Sequence, residues 1–201
     1  MTLKMGELVV DNLKVAMDIY YHYDPKKAEL INDNIVDLNE RLIEEMSLNI
    51  MLRERPFAKD LRTVSGILKL VEDIERLGDH AEDIKEFANK LIDVDHHNIP
   101  TLDESYKEAI KMVLDSILSF VNSDIKLAQE IIKNDDKVDN LYNQTIQYII
   151  DKTIDNTFSP SFSVYTTLVS KYIERIADHA VNIAEWVIYI ENGFHKDKQI
   201  F

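Results

Sequence analysis

Apolar residues recur every three or four positions along most of the chain, the spacing that places side chains on one face of an α-helix. The clearest stripe lies in the first half and comprises Leu61, Val64, Ile67, Leu68, Val71, Ile74, Leu77, Ala81 and Ile84. The chain has only four Gly and four Pro among 201 residues. So few helix-breaking residues argue for long helices and against an all-β fold.

The breaks between stripes divide each half of the chain into three predicted helices. In the first half they span about 3–22, about 27–52, and a third segment that carries the stripe and ends near Leu91. The breaks fall at Asp24-Pro25 and Arg55-Pro56, because Pro disfavours a continuing helix at and before its own position. In the second half the predicted helices span about 102–121, 125–154 and 161–190.

The two halves repeat one another in sequence. Residues 74–84 read IERLGDHAEDI and residues 173–183 read IERIADHAVNI, with seven of eleven positions identical. Residues 32–46 and 134–149 match in the same way. A repeat of about 100 residues is the size of a duplicated domain rather than of a solenoid unit.

The prediction is therefore an all-α fold, a tandem repeat of two three-helix bundles built from six long helices. The repeats are assigned to residues 1–92 and 102–201, joined by a linker at 93–101. Short connections make neighbouring helices antiparallel. The pattern leaves open whether the bundles join end to end or side by side.

Charge narrows the classes of partner. Asp and Glu outnumber Lys and Arg by 37 to 23, a net charge of −14, which disfavours binding to nucleic acid. The chain has no cysteine, which excludes disulfides and thiolate sites. The amino terminus has no signal-peptide pattern, and the longest uncharged run, residues 156–170, is too short for direct membrane insertion. A cytoplasmic protein is expected.

Carboxylates four positions apart recur at equivalent places in both repeats. Like charges at this spacing weaken a helix by a few tenths of a kcal/mol per pair, so a compensating ligand is expected. Hard cations bind carboxylate oxygens, and Asn can add a carbonyl oxygen. The candidate metal ligands are the pairs Asp33/Asp37, Glu75/Asp79, Asp135/Asp139 and Glu174/Asp178, extended by Asp83 and its counterpart Asn182.

Other readings stay open at this point. Acidic rows on long helices are often only a solvated face, and they could instead contact a basic partner. His80 and His179 each follow a motif Asp, but adjacent helical residues point about 100° apart and rarely share one ion. The other candidates are a linker cluster (Asp93, Asp95, His96, His97) and a basic tip that either forms salt bridges or docks a partner (Arg53, Arg55, Lys59, Arg62). No nucleotide-binding or hydrolase motif is present, which favours a protein that is not an enzyme.

The doubled motif resembles the PhoU family of phosphate-uptake regulators, over nearly the whole chain. The matching residues are Asp33, Asp37, Pro56, Asp60-Leu61-Arg62, Glu75 to Asp79, Asp135, Val138-Asp139, Glu174 to Ile176, Asp178 to Ala180 and Asn182 to Glu185. Two departures stand out: Ala177 replaces the usual Gly of the second motif, and residues 158–163 (FSPSFS) replace the Pro-x-x-x-Asp-Leu-Arg signature.

The resemblance implies two three-helix bundles related by a pseudo-twofold axis. It also implies partners, namely the ATPase of the phosphate ABC transporter and the phosphate-sensing histidine kinase, and multinuclear iron or zinc clusters, or clusters of another divalent cation, on the four acid pairs. The function expected is a metal-binding adaptor that negatively regulates phosphate uptake and starvation signalling. A homodimer or other homo-oligomer is also expected. The alternatives are a metal-free adaptor that uses the acidic rows, and a metal-dependent hydrolase.

Overall fold

The computed structural model describes residues 1–196 and 198–199. Within them the chain forms seven helices and two very short strands. They are α1 (Thr2–Tyr21), α2 (Pro25–Ala28), α3 (Asp33–Glu54), α4 (Lys59–Lys90), α5 (Pro100–Asn122), α6 (Ile125–Ile154), α7 (Pro160–Asn192), β1 (Phe194–His195) and β2 (Lys198–Gln199).

The six long helices agree with the prediction, and one predicted helix is divided. The segment expected to be helical over 27–52 begins instead as the short α2, whose first turn is capped by the Asp24 side chain. Residues 29–32 are not helical, and α3 starts at Asp33 after Asn32. Ala28 and Ile31, on either side of the non-helical turn, are both buried, so this segment packs into the core instead of continuing as a helix.

The helices form two bundles that lie side by side. One bundle contains α1, α3 and α4, the other contains α5, α6 and α7, and α4 packs along α7 between them. Gly66 of α4 meets Ile190 of α7, and Phe87 of α4 meets Tyr165 of α7. The two helices are therefore antiparallel, and the prediction of two three-helix bundles is confirmed.

The core runs through both bundles without interruption. The predicted stripe on α4 is buried at Val71, Ile74 and Leu77, each at most 1% exposed. Leu61 is 42% exposed, because it lies in the first turn of α4 at the end of the molecule. Since one apolar cluster joins the repeats, the boundaries at 92 and 102 stay a prediction.

The chain folds back on itself after α7. Gly193, with φ of 84°, ends the helix in the left-handed region, and β1 then pairs antiparallel with β2. His195 stacks on Trp186 of α7 with ring centroids 3.9 Å apart. Strands of two residues leave no periodic pattern, so the sequence did not predict them. None of the helices within the described residues is both long and apolar enough to cross a bilayer.

Candidate functional site: two carboxylate clusters

The first carboxylate cluster lies where the start of α3 crosses the middle of α4. It consists of Asp33 and Asp37 on α3 with Glu75 and Asp79 on α4, and we call it cluster 1. A Cβ at Gly78 would lie 2.5 Å from Oδ1 of Asp33, so only the glycine allows this approach. The same Oδ1 is buried and has no hydrogen-bond partner among the described residues.

Burial and mutual repulsion raise the pKa of two carboxyl groups of cluster 1. The pKa of Asp33 is raised to about 6 by burial and by the charges of Asp37 and Asp79. Burial, Asp79 and Glu40 raise the pKa of Glu75 to about 7. Carboxylates that share a site disfavour one another's ionisation in this way unless a cation is present.

The second cluster occupies the equivalent position between α6 and α7. Cluster 2 consists of Asp135 and Asp139 on α6 with Glu174 and Asp178 on α7. Burial raises the pKa of Asp135 to about 6, with further contributions from Asp178 and Asp139. The pKa of Asp178 is also raised, by burial and then by Glu174. In both repeats, carboxylates of two neighbouring helices therefore lie near enough to raise one another's pKa, and metal binding by them stays a prediction.

One basic side chain partly neutralises each cluster. Arg76 lies 3.3 Å from Oδ2 of Asp79 and 3.8 Å from Oε2 of Glu75. Lys171 pairs with Glu174. Both contacts of Arg76 are with residues of its own helix, α4.

Cluster 1 extends further along α3 and α4 than the sequence indicated. Burial raises the pKa of Glu40, and the charges of Glu44, Asp37 and Glu72 add to it. Glu82 contributes to the raised pKa of Asp33. In the sequence, Glu40 and Glu44 form a further acid pair at i,i+4 spacing. This pair has no equivalent in the second repeat.

The donor chemistry of both clusters fits a hard cation, although the side chains are not arranged as a coordination shell. All eight side chains offer only carboxylate oxygens, the ligand type of calcium, magnesium, manganese and iron. Asp33 supplies a buried oxygen to which none of the residues that the structure describes donates a hydrogen bond. Within the described part of the chain, no three His, Cys, Asp or Glu side chains converge on a common point as they stand.

Asp83 and Asn182 lie at the α4–α7 seam, the contact between the two bundles, and Asp83 stays near enough to cluster 1 for burial and then the charge of Asp79 to raise its pKa. Asp83 is hydrogen bonded to Tyr172 of α7. The amide of Asn182 donates to Oδ1 of Asp73 on α4 over 3.2 Å. The two residues predicted to extend the metal sites are therefore placed in contacts between the bundles.

The two motif histidines meet at the same seam. Their ring centroids lie 5.2 Å apart, and Nδ1 of His179 is 2.8 Å from Asp73. His80 is buried, and neither of its nitrogens has a hydrogen-bond partner within the described residues. Burial, together with the charges of His179, Arg175 and Arg76, lowers the pKa of His80 to about 3. His80 is therefore neutral at pH 7.

The linker histidines pack against aromatic rings. His97 stacks on Phe158 with centroids 4.6 Å apart, and His96 meets the edge of Phe162 at 5.8 Å. The linker candidate for a metal site is thus placed at the end of α6 and the start of α7, with its imidazoles in aromatic contacts.

Comparisons with known proteins agree with this architecture. The profile of the PhoU domain matches residues 2–88 and 102–187, once in each repeat. The phosphate-specific transport system accessory protein PhoU homolog of Aquifex aeolicus is 35% identical over 197 residues, covering 95% of this chain and 88% of that protein. The homolog of the same name from Clostridium acetobutylicum is 31% identical over 199 residues, covering 97% and 91%.

Solved structures show the same fold. PhoU from Pseudomonas aeruginosa superimposes with a TM-score of 0.90 at 29% identity, covering 96% of this chain and 94% of that one. The phosphate transport system regulatory protein PhoU from Streptococcus pneumoniae gives 0.89 at 26% identity, covering 98% and 94%. Given a profile match in both repeats and relatives aligned over nearly its whole length, the chain belongs to the PhoU family.

Proposed function

We propose that this protein is a metal-binding adaptor that restrains phosphate uptake and switches off phosphate-starvation signalling. It acts at the inner face of the membrane by docking on the ATPase of the phosphate ABC transporter and on the phosphate-sensing kinase. The observation that carries the proposal is that the chain belongs to the PhoU family. The relatives are named accessory proteins of the phosphate-specific transport system. The duplicated carboxylate clusters support the metal-binding part of it.

Cations would be held by the four acid pairs, two pairs in each bundle. An iron, zinc or other divalent ion supplies the positive charge that relieves the repulsion among these carboxylates. In the described structure, Arg76 and Lys171 supply part of this positive charge. Binding therefore frees two basic side chains for other contacts.

The same cations would tie the least anchored long helix to the rest of its bundle. Only Val36, Ile43 and Ser47 are buried among the 22 residues of α3. Cluster 1 joins the first turns of α3 to the middle of α4. Occupancy of cluster 1 would thus control how firmly α3 is held, which gives a regulatory protein a part that can respond to its ligand.

The test is elemental analysis of protein purified without chelators or a His-tag. We expect several equivalents of iron or zinc in the wild type and their loss in Glu75→Ala/Asp79→Ala/Glu174→Ala/Asp178→Ala. The matched control is Glu104→Ala/Glu108→Ala, an i,i+4 acid pair that instead binds Lys137. Metal retained by the fourfold variant, or absent from folded wild type, contradicts the metal-binding part.

A metal-free adaptor is the second candidate, and one observation favours it. Arg76 and Lys171 already pair with cluster carboxylates, so basic side chains of a partner could do the same. Such an adaptor shows no rise in melting temperature with divalent or ferric ions, whereas a ligand of the native state raises it by mass action. The homodimer expected from the sequence is tested separately by light scattering.

A further inference from the structure

The connection between α3 and α4 exposes large apolar side chains at one end of the molecule. We call residues 52–62 the α3–α4 tip. Phe57 is 86% exposed and Leu52 is 76% exposed. An aromatic ring this exposed loses the favourable free energy of burial, so the fold of the isolated chain gives it no role.

The loop is anchored in a way that holds Phe57 outward. Arg62 donates to the carbonyl oxygens of Ile190 and Glu191 at the end of α7, over 3.2 and 3.4 Å. Lys59 lies 3.3 Å from Glu191. Two of the four basic residues of the tip thus fasten it to the second bundle.

The backbone of the loop is also unusual. Arg55 and Ala58 both have positive φ, at 49° and 43°. Non-glycine residues in this region store backbone strain, and such strain collects at functional sites. The turn between these two positions presents Phe57 to solvent.

The charge of the tip opposes that of the rest of the chain. Residues 52–62 carry four basic and two acidic side chains, whereas the whole chain has a net charge of −14. Arg53 and Arg55 form no ion pair with the residues that the structure describes, so their charges are directed to solvent. An acidic surface is therefore the complement of this tip.

The second repeat serves as an internal comparison. At the equivalent α6–α7 connection, Phe158 is 4% exposed and stacks on His97. Residues 153–170 contain neither Lys nor Arg. Closing a three-helix bundle of this family therefore requires neither an exposed aromatic ring nor basic residues at its tip.

We propose that the α3–α4 tip docks on a partner protein, with Phe57 entering an apolar pocket that is bordered by Asp and Glu side chains. Aromatic and Arg side chains are the residues that most often dominate the binding energy of interfaces. The proposal rests on the adaptor function, because it names the surface through which that adaptor binds.

A second copy of the chain is a poorer occupant. One apolar groove that could receive Phe57 has a volume of about 400 Å³ and is lined by Ile149, Ile150, Ile154, Val164 and Leu168. It lies at the opposite end of the molecule because α4 and α7 are antiparallel. A contact between this groove on one copy and the tip of another copy would be head-to-tail. Such contacts build open filaments unless the rotation between copies closes a ring.

The experiment measures affinity for the purified transporter ATPase and for the cytoplasmic part of the kinase by biolayer interferometry. We expect Phe57→Asp to weaken binding to at least one of them by about 30-fold or more, as for a central aromatic anchor. Arg53→Glu should also weaken binding, and the loss should shrink at high salt. Val164→Asp, at an exposed position of the opposite groove, is the matched control and should bind as wild type.

The outcomes distinguish a failure of the docking function from a failure of the α3–α4 tip as its surface. Wild type that binds neither protein overturns the docking part of the adaptor function and the tip with it. Wild type that binds, with Phe57→Asp binding equally well, overturns the tip alone. Loss of binding in Val164→Asp but not in Phe57→Asp assigns docking to the groove, and a smaller oligomer for Phe57→Asp in light scattering assigns the tip to self-association. Because Phe57 is exposed, an unchanged melting temperature confirms that the variant is folded.

Discussion

At the scale of single residues, the carboxylates of both clusters oppose the stability of the metal-free protein. Asp33 and Asp135 occupy equivalent positions, and the pKa of each is raised to about 6 by burial and neighbouring charges. The folded state therefore holds protons that the unfolded state releases near pH 4. The stability that these groups contribute is complete below about pH 4 and is lost as pH rises through about 6.

Asp33→Asn/Asp135→Asn isolates this effect. We expect the variant to gain unfolding free energy over wild type as pH rises from about 4 to about 7, in buffer with a chelator, because Asn stays neutral throughout. Denaturant titrations at four or five pH values measure the difference, in which the contribution of His80 cancels. Glu104→Gln, which removes an exposed carboxylate paired with Lys137, should show no such gain. A difference that is constant with pH contradicts the raised pKa values.

At the scale of elements, the helices and the acid pairs could be predicted from sequence because both depend on local spacing. The bounds of α6 were predicted at both ends, and its start is marked by Asp124, whose side chain caps two backbone N–H groups. The same spacing also assigns Asp83 and Asn182 to the clusters, whereas both side chains contact residues across the α4–α7 seam. At 100° per residue, a position eight residues on from Glu75 lies about 80° around the helix, which turns Asp83 towards α7.

The remaining differences arise from long-range contacts that spacing does not report. The break before α3 depends on burying Ala28 and Ile31 in a core built by other helices. The stacking of His97 on Phe158 joins residues that are distant in sequence, and so does the contact between His80 and His179. Glu40 lies outside the repeated pattern, because the equivalent residue in the second repeat is Tyr142.

The weak anchoring of α3 leads to a prediction for hydrogen exchange. With iron or zinc bound to cluster 1, backbone amides of α3 should become about tenfold or more better protected, because local opening must then break the metal contacts. Mass spectrometry of exchanged protein, with and without metal, measures this. Helix α5 carries no cluster residue and serves as the internal control, and Asp33→Ala/Asp37→Ala should remove the change. Equal gains in α3 and α5 would instead indicate a general stabilisation.

At the scale of the whole molecule, the duplication places equivalent residues opposite each other across the α4–α7 seam, but their environments differ. His179 is bonded to Asp73, and the residue equivalent to Asp73 in the second repeat is Tyr172. His80 consequently faces the edge of Tyr172, with ring centroids 5.1 Å apart, while Asp83 lies 3.7 Å from its Nδ1. The two histidines of one repeated motif therefore make different contributions to the joining of the bundles.

This asymmetry predicts opposite effects of one substitution at two equivalent positions. His80→Leu should leave the free energy of unfolding at pH 7 unchanged or raise it by about 1 kcal/mol. It keeps a similar volume and removes two buried nitrogens that have no hydrogen-bond partner in the described part of the chain. His179→Leu should lower it by about 1–3 kcal/mol, because it leaves the carboxylate of Asp73, only 14% exposed, without its hydrogen bond to the ring. Chemical denaturation of both variants against wild type measures the two values. If His80→Leu is as destabilising as His179→Leu, His80 has a polar role in the seam, and the joining of the two bundles depends on both copies of the motif.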